Sequence, residues 1–391
     1  MVVFRCLILL LMLIPCIANA RITLWHSHQS TAYIDGLVSR FEKETGIQVS
    51  VVQFDPQKIK AELLLGAQYG GLPDLILVPS DFLGLYKQMK LSPVPKSWIH
   101  TDFEPAVGET ARVNGKYRGV PIIQGNHLLL YYNKSMVKTP ITSWSELFRQ
   151  KKDFAAKQIM PIGWNYSDMY FFMPFLLASD GWPIKNDKIS LDSLGMVNAL
   201  KYYHLLAADG IIDGHCGYHC AQLGFIQGKS AYAINGDWAY DDIKKEMGDN
   251  VGLAMLPSLN GHKMYGLKST FVLAMPEFDQ RSVLVQNQLK RFIEFVQRKA
   301  NQKWVYDKYH LLPVSKSLFL QLKKTATGDN KIILEQLCLA KVMPSNVLMA
   351  IVWQAMGKGF YRFADGESAE NTADYMQRVA SGQLQRLEKQ Q

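Results

Sequence analysis

The sequence lacks the motifs that mark the commonest catalytic sites. It contains no Gly-rich phosphate loop of the Walker type, no Gly-x-Ser-x-Gly elbow and no His-Glu-x-x-His pair. Internal repeats and low-complexity tracts are also absent, and the Lys and Arg residues do not cluster with aromatic residues. These absences disfavour an enzyme and a nucleic-acid-binding protein, and no catalytic residue or cofactor is predicted.

Long hydrophobic runs are scarce as well, apart from one at the start of the chain. Residues 1–20 carry one positive charge at Arg5, then an apolar stretch, and end in the small-residue pattern Ala-Asn-Ala. This arrangement is typical of a cleaved secretory signal, and the stretch is short for a transmembrane span of about 20 residues. We expect a soluble exported protein that begins at Arg21. A lipoprotein acylated at Cys16 is the alternative, which the preceding Pro15 disfavours.

Cysteine is scarce too, with five in 391 residues. Removal of the predicted signal leaves three of them in an oxidising compartment. Cys216 and Cys220 lie four residues apart, and one helical turn would bring their Cα atoms to about 6 Å, within disulfide range. A local disulfide between these two is therefore predicted, and Cys338 is predicted to be a buried thiol.

The segment DGHCGYHCAQ allows a second interpretation, because two histidines accompany the two cysteines. Zn²⁺ is bound by such donors, usually with wider spacing between the pairs. Adjacent ligands on one short loop can hardly all point at one ion, so the disulfide is the preferred interpretation. A secreted metal-binding protein that uses His215, Cys216, His219 and Cys220 is kept as an alternative.

The length that remains after cleavage, about 370 residues, predicts two domains. Hydrophobic residues make up 48% and charged residues 20% of the chain, a composition that can supply two cores. The net charge is +9, which becomes +8 when Arg5 leaves with the signal. Basic residues such as Lys58 and Lys60 lie on predicted helix faces with acids between them. They are therefore interpreted as solvated surface rather than as a binding site for an anionic partner.

The mature chain opens on alternating strands and helices. The strand-like segments RITLWHS, IQVSVVQF and DLILVPS are separated by segments with helical spacing of apolar residues. This order predicts a parallel sheet covered by helices, whose ligands bind at the carboxyl ends of the strands. His28 and Gln29 after the first strand, and Asp81 after the third, are therefore candidate ligand residues. The pattern restarts near residue 125, which predicts two lobes with more than one crossover.

The segments FEKETGIQV, LPDLILVPSDFLGLY, LLLYYNK, AYAINGDWAY and VMPSNVLMAIVW occur in an order that resembles the periplasmic solute-binding proteins of ABC sugar importers. The maltose- and maltodextrin-binding branch is the most similar, and the similarity covers nearly all of the mature chain. It implies an α/β, two-lobed periplasmic binding protein fold of type II, with a hinge and a ligand cleft between the lobes. It also implies a monomer in the periplasm that delivers a carbohydrate to inner-membrane ABC permease subunits. The implied lobes are residues 21–124 plus 269–325 and residues 125–268 plus 326–391.

The resemblance also implies ligand residues. Trp238 matches a Trp that stacks on a pyranose ring, and Trp353 and Tyr170 match two further aromatic positions. Asp81 and Asp168 match carboxylates that accept hydrogen bonds from sugar hydroxyls. Aromatic rings suit the apolar faces of a sugar, whereas polar groups suit its rim. The remaining implied contacts are His28, Gln29, Gln124 and Asn126.

Some residues differ from those typical of this branch, so the sequence does not decide which ligand is bound. Val78 stands where the branch carries a Trp, and Phe82 stands where a basic residue usually follows the aspartate. The segment LWHSH is similar to glycerol-3-phosphate-binding relatives, so a polyol phosphate is the alternative ligand. For the segment that contains Cys216 and Cys220, the resemblance implies a surface position on the second lobe, away from the cleft.

Overall fold

The computed structural model describes residues 21–56, 58–100 and 102–389. The predicted secretory signal, with Cys6 and Cys16, lies outside these residues. Within the described ranges, no helix combines the length and the apolarity that crossing a bilayer requires.

Strands and helices alternate along most of the described chain. The strands are β1 (Ile22–His26), β2 (Val49–Gln53), β3 (Leu75–Pro79), β4 (Arg112–Val113), β5 (Lys116–Tyr117), β6 (Val120–Gly125), β7 (Leu128–Asn133), β8 (Met160–Gly163), β9 (Ile184–Lys185), β10 (Lys188–Ile189), β11 (Ser230–Gly236), β12 (Val251–Ala254), β13 (Leu267–Ala274), β14 (Leu312–Pro313) and β15 (Lys341–Val342). The helices are α1 (Thr31–Thr45), α2 (Ile59–Tyr69), α3 (Pro105–Thr110), α4 (Trp144–Ala155), α5 (Met169–Ala178), α6 (Leu194–Ala208), α7 (Tyr218–Ile226), α8 (Tyr240–Met247), α9 (Val283–Gln297), α10 (Lys299–Tyr309), α11 (Lys316–Thr325), α12 (Gly328–Leu339), α13 (Val347–Ala364) and α14 (Ala369–Lys389).

The first sheet has the strand order β14-β6-β13-β3-β1-β2, and β15 pairs with β13. β1 pairs in parallel with β2 and β3, whereas β13 runs antiparallel to β3 and β6. Successive side chains of a strand point to opposite faces. In β3, Leu75 and Leu77 belong to one buried apolar cluster and Ile76 and Val78 to another. Both faces of this sheet are therefore covered, which explains the continuous apolar run DLILV.

The second sheet has the order β12-β7-β11-β8, with β7 antiparallel to β11 and β12 and β8 parallel to β11. Its central strand β7 repeats the pattern of two covered faces. Leu128 and Leu130 belong to one buried cluster, and Leu129 and Tyr131 belong to another. Each sheet is thus the centre of a lobe with its own cores.

In the described ranges, the chain passes between the lobes at three places. β6 and β7 are consecutive strands in different sheets, joined through Gly125 at φ 126° and Asn126 at φ 50°, a conformation that glycine and asparagine adopt most readily. β13 returns the chain to the first sheet, and the third crossing follows α11, because α11 packs on β14 whereas α12 packs on β7 and β12. The two-lobed α/β fold is confirmed, and the boundaries at residues 124, 268 and 325 remain a prediction.

Cys338 differs from its prediction. The residue is a free cysteine and is exposed near the end of α12. That helix buries Ile333, Leu334 and Leu337, and Cys338 lies beyond the edge of this apolar stripe. The expectation of a buried thiol is therefore wrong.

Candidate functional site

Three half-buried aromatic residues from distant parts of the chain come together. Trp238 lies in the short 3-10 turn Asp237–Ala239 directly after β11, Tyr170 lies in the first turn of α5, and Trp353 lies in α13. The ring centroid of Tyr170 is 6.2 Å from that of Trp238 and 6.2 Å from that of Trp353. We call these three residues, together with Asp81, the central cluster. Its partly exposed rings offer apolar faces to a ligand.

Asp81 brings a carboxylate from the first lobe to these aromatic residues. It lies in the 3-10 turn Ser80–Leu85 that follows β3, and it is buried. Burial raises the pKa of Asp81, and the charge of Lys60 and the side chain of Trp353 oppose that shift. The central cluster therefore includes groups from both lobes and a carboxylate that has lost much of its hydration.

Lys60 is a neighbour of this cluster that sequence reasoning missed. It lies in the first turn of α2 and is half-buried, with its ammonium 4.7 Å from the ring centroid of Phe82. Its charge also acts on Asp81. Lys60 is therefore partly exposed, as a surface lysine is, but it also neighbours the central cluster. The usable signal was its place in the first turn of the helix after β2, because the carboxyl ends of neighbouring parallel strands meet at one edge of a sheet.

Asp168 has a clear local role. It is the N-cap of α5, where its carboxylate accepts a hydrogen bond of 2.9 Å from the backbone N–H of Tyr170. Burial raises the pKa of Asp168, the hydrogen bond from Tyr170 lowers it, and the charge of Asp55 raises it further. Asp55 follows β2 of the first sheet, so carboxylates of both lobes act on each other here. A ligand contact for Asp168 remains a prediction.

Tyr170 also links the central cluster to the connections between the lobes. Its hydroxyl donates to the backbone oxygen of Asn126 and lies 3.2 Å from the backbone oxygen of Leu267. The Asn126 side chain donates a hydrogen bond of 2.8 Å to the hydroxyl of Ser269. Tyr170 therefore contacts two connecting segments as well as both tryptophans. Gln124 is directed elsewhere, because its side-chain amide donates to the backbone oxygen of Pro313 at 2.8 Å.

His28 and Gln29 do not join the central cluster. His28 is fully buried, and its ring packs edge-on against Tyr33 and Phe271. Burial lowers the pKa of His28 to about 3, so the ring is neutral at neutral pH. Gln29 is half-buried in the loop after β1. The structure therefore gives His28 a packing role in the first lobe, and ligand contacts of His28 and Gln29 remain predictions.

Tyr218 is the second neighbour that sequence reasoning missed. It begins α7, and its hydroxyl accepts a hydrogen bond of 2.9 Å from the indole N–H of Trp238. Cys216 and Cys220, on either side of it, form a disulfide with a Cα–Cα distance of 5.4 Å. The segment was expected to lie away from the cleft, whereas Tyr218 contacts Trp238, a member of the central cluster.

The histidines beside this disulfide have no metal-binding arrangement around them. In the described part of the chain, no group of three or more His, Cys, Asp or Glu side chains is placed to hold a metal ion. The sulfur atoms of Cys216 and Cys220 are bonded to each other, so neither can act as a thiolate ligand. The metal-binding alternative thus lacks two of its four donors.

The comparisons with known proteins agree with this architecture. The sequence profile of a family described as bacterial extracellular solute-binding proteins matches residues 36–331. A maltooligosaccharide ABC transporter solute-binding lipoprotein of Streptococcus pneumoniae is 25% identical, with 88% of this chain and 83% of that protein covered. The maltodextrin-binding protein MdxE of Bacillus subtilis is 24% identical, with 87% and 84% covered.

Other relatives bind different sugars or add structural information. A galactooligosaccharide-binding protein of Bacillus subtilis is 23% identical, with 94% of this chain and 90% of that protein covered. The solved maltose/maltodextrin-binding domain MalE of Bdellovibrio bacteriovorus, bound to maltotriose, superposes with a TM-score of 0.85 at 23% identity. That alignment covers 94% of this chain and all of the other, which establishes the shared fold.

Proposed function

Because this chain belongs to the family of bacterial extracellular solute-binding proteins, we propose that it is the oligosaccharide receptor of an ABC importer. The observation that carries the proposal is the central cluster. The ring centroids of two tryptophans each lie 6.2 Å from that of Tyr170, and one of them, Trp353, acts on the buried Asp81. Relatives whose names specify maltooligosaccharides or maltodextrin support the same ligand class.

The chemistry of the central cluster suits a sugar. Each pyranose ring has apolar C–H faces and a rim of hydroxyl groups, so indole faces and carboxylate oxygens complement its two kinds of surface. Aromatic contacts add about 0.5–1.5 kcal/mol each beyond area burial. Two or three such contacts, with hydrogen bonds to carboxylates, are sufficient for affinity in the micromolar range, about −8 kcal/mol.

The proposed receptor works by closure. A ligand that contacts Asp81 on one lobe and Trp238 on the other stabilises the closed state in proportion to its preference for that state. The closed, loaded protein then docks on the permease subunits in the inner membrane. The protein acts in the periplasm, and this proposal includes no covalent chemistry in the chain.

A polyol phosphate is the weaker candidate. Lys60 supplies one cationic group beside Asp81, and a phosphate would benefit from such a charge. However, the carboxylates of Asp55, Asp81 and Asp168 lie in the same region and would repel a dianion. The balance of charge therefore favours a neutral oligosaccharide.

Titration calorimetry of the mature protein, residues 21–391, tests this assignment. The panel consists of maltose, maltotriose, a galactooligosaccharide, trehalose and glycerol-3-phosphate. We expect saturable binding of at least one oligosaccharide and none of the phosphate. Binding of glycerol-3-phosphate alone would establish the alternative ligand, and no binding of any panel member would contradict the oligosaccharide assignment.

Replacing Asp81 with asparagine should separate stability from binding. The variant keeps the shape of the side chain but removes a buried charge, so we expect a higher melting temperature of the ligand-free protein at pH 7. Binding of the cognate sugar should weaken about tenfold, because a hydrogen bond to a charged group contributes about 1.5–3 kcal/mol. Differential scanning calorimetry and titration calorimetry give the two values.

The difference in melting temperature between Asp81→Asn and the wild type should depend on pH in one direction. The pKa of Asp81 is raised above 3.8 in the folded protein, so the folded state keeps the proton longer than the unfolded chain does. As pH rises from the pKa of Asp81 in the unfolded chain to its higher pKa in the folded protein, the free energy of unfolding of the wild type falls relative to that of the variant. The melting-temperature difference should therefore be larger at pH 7 than at about pH 4. Asp374→Asn, on an exposed part of α14, is the matched control, and an equal shift in both variants would contradict the assignment to burial.

A further inference from the structure

The Cys216–Cys220 disulfide lies one side chain away from the central cluster. Cys216 precedes α7, and Cys220 lies in its first turn. Between them is Tyr218, whose hydroxyl accepts a hydrogen bond of 2.9 Å from the indole N–H of Trp238. Any movement of the start of α7 would therefore be transmitted to Trp238 through this hydrogen bond.

The start of α7 lacks a side-chain cap. Its N-cap is Gly217, which makes no side-chain hydrogen bond to the first turn. Helices as short as α7, with nine residues, are marginal without outside contacts, and a capping side chain normally satisfies one of the free N–H groups at the start. The disulfide links the residue before the cap to the first turn covalently. It thus restrains the same turn that a capping side chain would stabilise.

Hydrogen bonds extend this restraint to the rest of the site. The backbone oxygen of Cys216 accepts from the backbone N–H of Tyr166 at 3.5 Å, two residues before Asp168. On the other side, the buried Asn235 donates to Gln222 of α7 at 3.1 Å. The hydroxyl of Tyr218 has its pKa raised to about 12 by burial, so it is protonated and neutral near Trp238. The turn that carries the disulfide therefore lies between two elements of the site.

We propose that the Cys216–Cys220 disulfide positions the Trp238 indole for its ligand through the hydroxyl of Tyr218. This inference rests on the proposed function, because an oligosaccharide is the ligand that the indole would face. The disulfide fixes the first turn of α7, Tyr218 fixes the indole N–H, and the plane of the ring is set before the sugar arrives. Affinity is gained because less side-chain motion has to be lost on binding.

The test compares four forms of the mature protein. They are the wild type, the double variant Cys216→Ser plus Cys220→Ser, the variant Tyr218→Phe, and the combination of all three substitutions. We expect the double variant and Tyr218→Phe each to weaken maltotriose binding about threefold to tenfold in titration calorimetry. The combined variant should bind no more weakly than the weaker of the two, because both changes act on one contact.

A spectroscopic measurement separates positioning from a general loss of stability. Near-ultraviolet circular dichroism of the ligand-free protein should change in the indole region when the disulfide is removed. The same removal in a Trp238→Phe background should leave the indole region unchanged, because only the disulfide's own band, at shorter wavelength, is then lost. Cys338→Ser, an exposed cysteine outside the site, is the matched control and should alter neither the spectrum nor the affinity.

Several outcomes would overturn the inference. These are an unchanged indole region of the spectrum with unchanged affinity in the double variant, or losses that add up in the combined variant. If the double variant does not fold, Tyr218→Phe, which leaves the disulfide intact, decides alone, and full affinity in it overturns the inference. A wild type that binds no oligosaccharide would contradict the proposed function instead, and the ligand-free spectra would still decide whether the disulfide positions Trp238.

Discussion

Replacing Trp353 with alanine is expected to weaken binding of maltotriose at least tenfold while the fold persists. The substitution removes a ring that lies beside Tyr170 and acts on the buried Asp81. An aromatic contact adds about 0.5–1.5 kcal/mol beyond area burial, and covering a large apolar side chain contributes about 1.5–3 kcal/mol. Because tenfold in Kd corresponds to about 1.4 kcal/mol, tenfold is a lower bound for the combined loss. Titration calorimetry gives the affinity, and far-ultraviolet circular dichroism checks the fold.

Trp238→Ala should behave in the same way, since the ring of Trp238 lies at the same centroid distance from Tyr170. The matched control is Trp304→Ala. Trp304 is also half-buried, but it packs on Tyr309 and Arg40 in the first lobe, outside the central cluster. The control should bind with an affinity within about twofold of the wild type. Unchanged affinity in both Trp353→Ala and Trp238→Ala would refute the role of the central cluster.

Replacing Gly84 with alanine should damage binding and stability together. Gly84 lies in the same 3-10 turn as Asp81, and a Cβ atom there would come within 2.4 Å of the backbone oxygen of Asn346. Asn346 is the N-cap of α13, the helix that carries Trp353. Because the clash is with backbone, the turn and the helix must move apart, which separates Asp81 from Trp353. We expect maltotriose affinity to fall about tenfold and the free energy of unfolding to fall by about 1–3 kcal/mol, the usual cost of overpacking.

Gly357→Ala provides the matched control for this prediction. Gly357 lies inside the same helix, α13, and no atom outside its immediate chain neighbourhood lies within 4 Å of the Cβ position. The added methyl group should stabilise the helix by roughly 0.5–1 kcal/mol and leave affinity unchanged. Thermal melting and titration calorimetry measure both variants. Wild-type affinity in Gly84→Ala would show that close packing of the Asp81 turn on the start of α13 is not needed for binding.

Much of the fold could be predicted from local patterns. Apolar alternation and continuous apolar runs predicted β1, β2 and β3, because side chains on the two faces of a covered sheet follow a period of two residues. Helical spacing predicted α1, which ends at Gly46 with φ 71°, a conformation that glycine adopts without strain. The order of matching segments predicted the family, and most of the aromatic positions followed from it.

The site was less predictable where a residue's role depends on what packs against it. His28 follows a sheet strand, as ligand residues often do, yet the packing of Tyr33 and Phe271 buries it completely. Lys60 looked like one of many surface lysines, but the turn after β3 brings Asp81 and Phe82 next to it. In both cases the deciding neighbours come from other elements, and no local pattern reports them.

The sequence by itself determined the first strands and helices, the two-lobed architecture and the family, because these depend on periodicity and on the order of segments along the chain. The tertiary structure alone decided which side chains meet. It placed Asp81 of the first lobe against Trp353 of α13, and it placed Tyr218 with its disulfide against Trp238. The physical reason is that a binding site is made of contacts between elements far apart in sequence, and such contacts form only when whole sheets and helices pack.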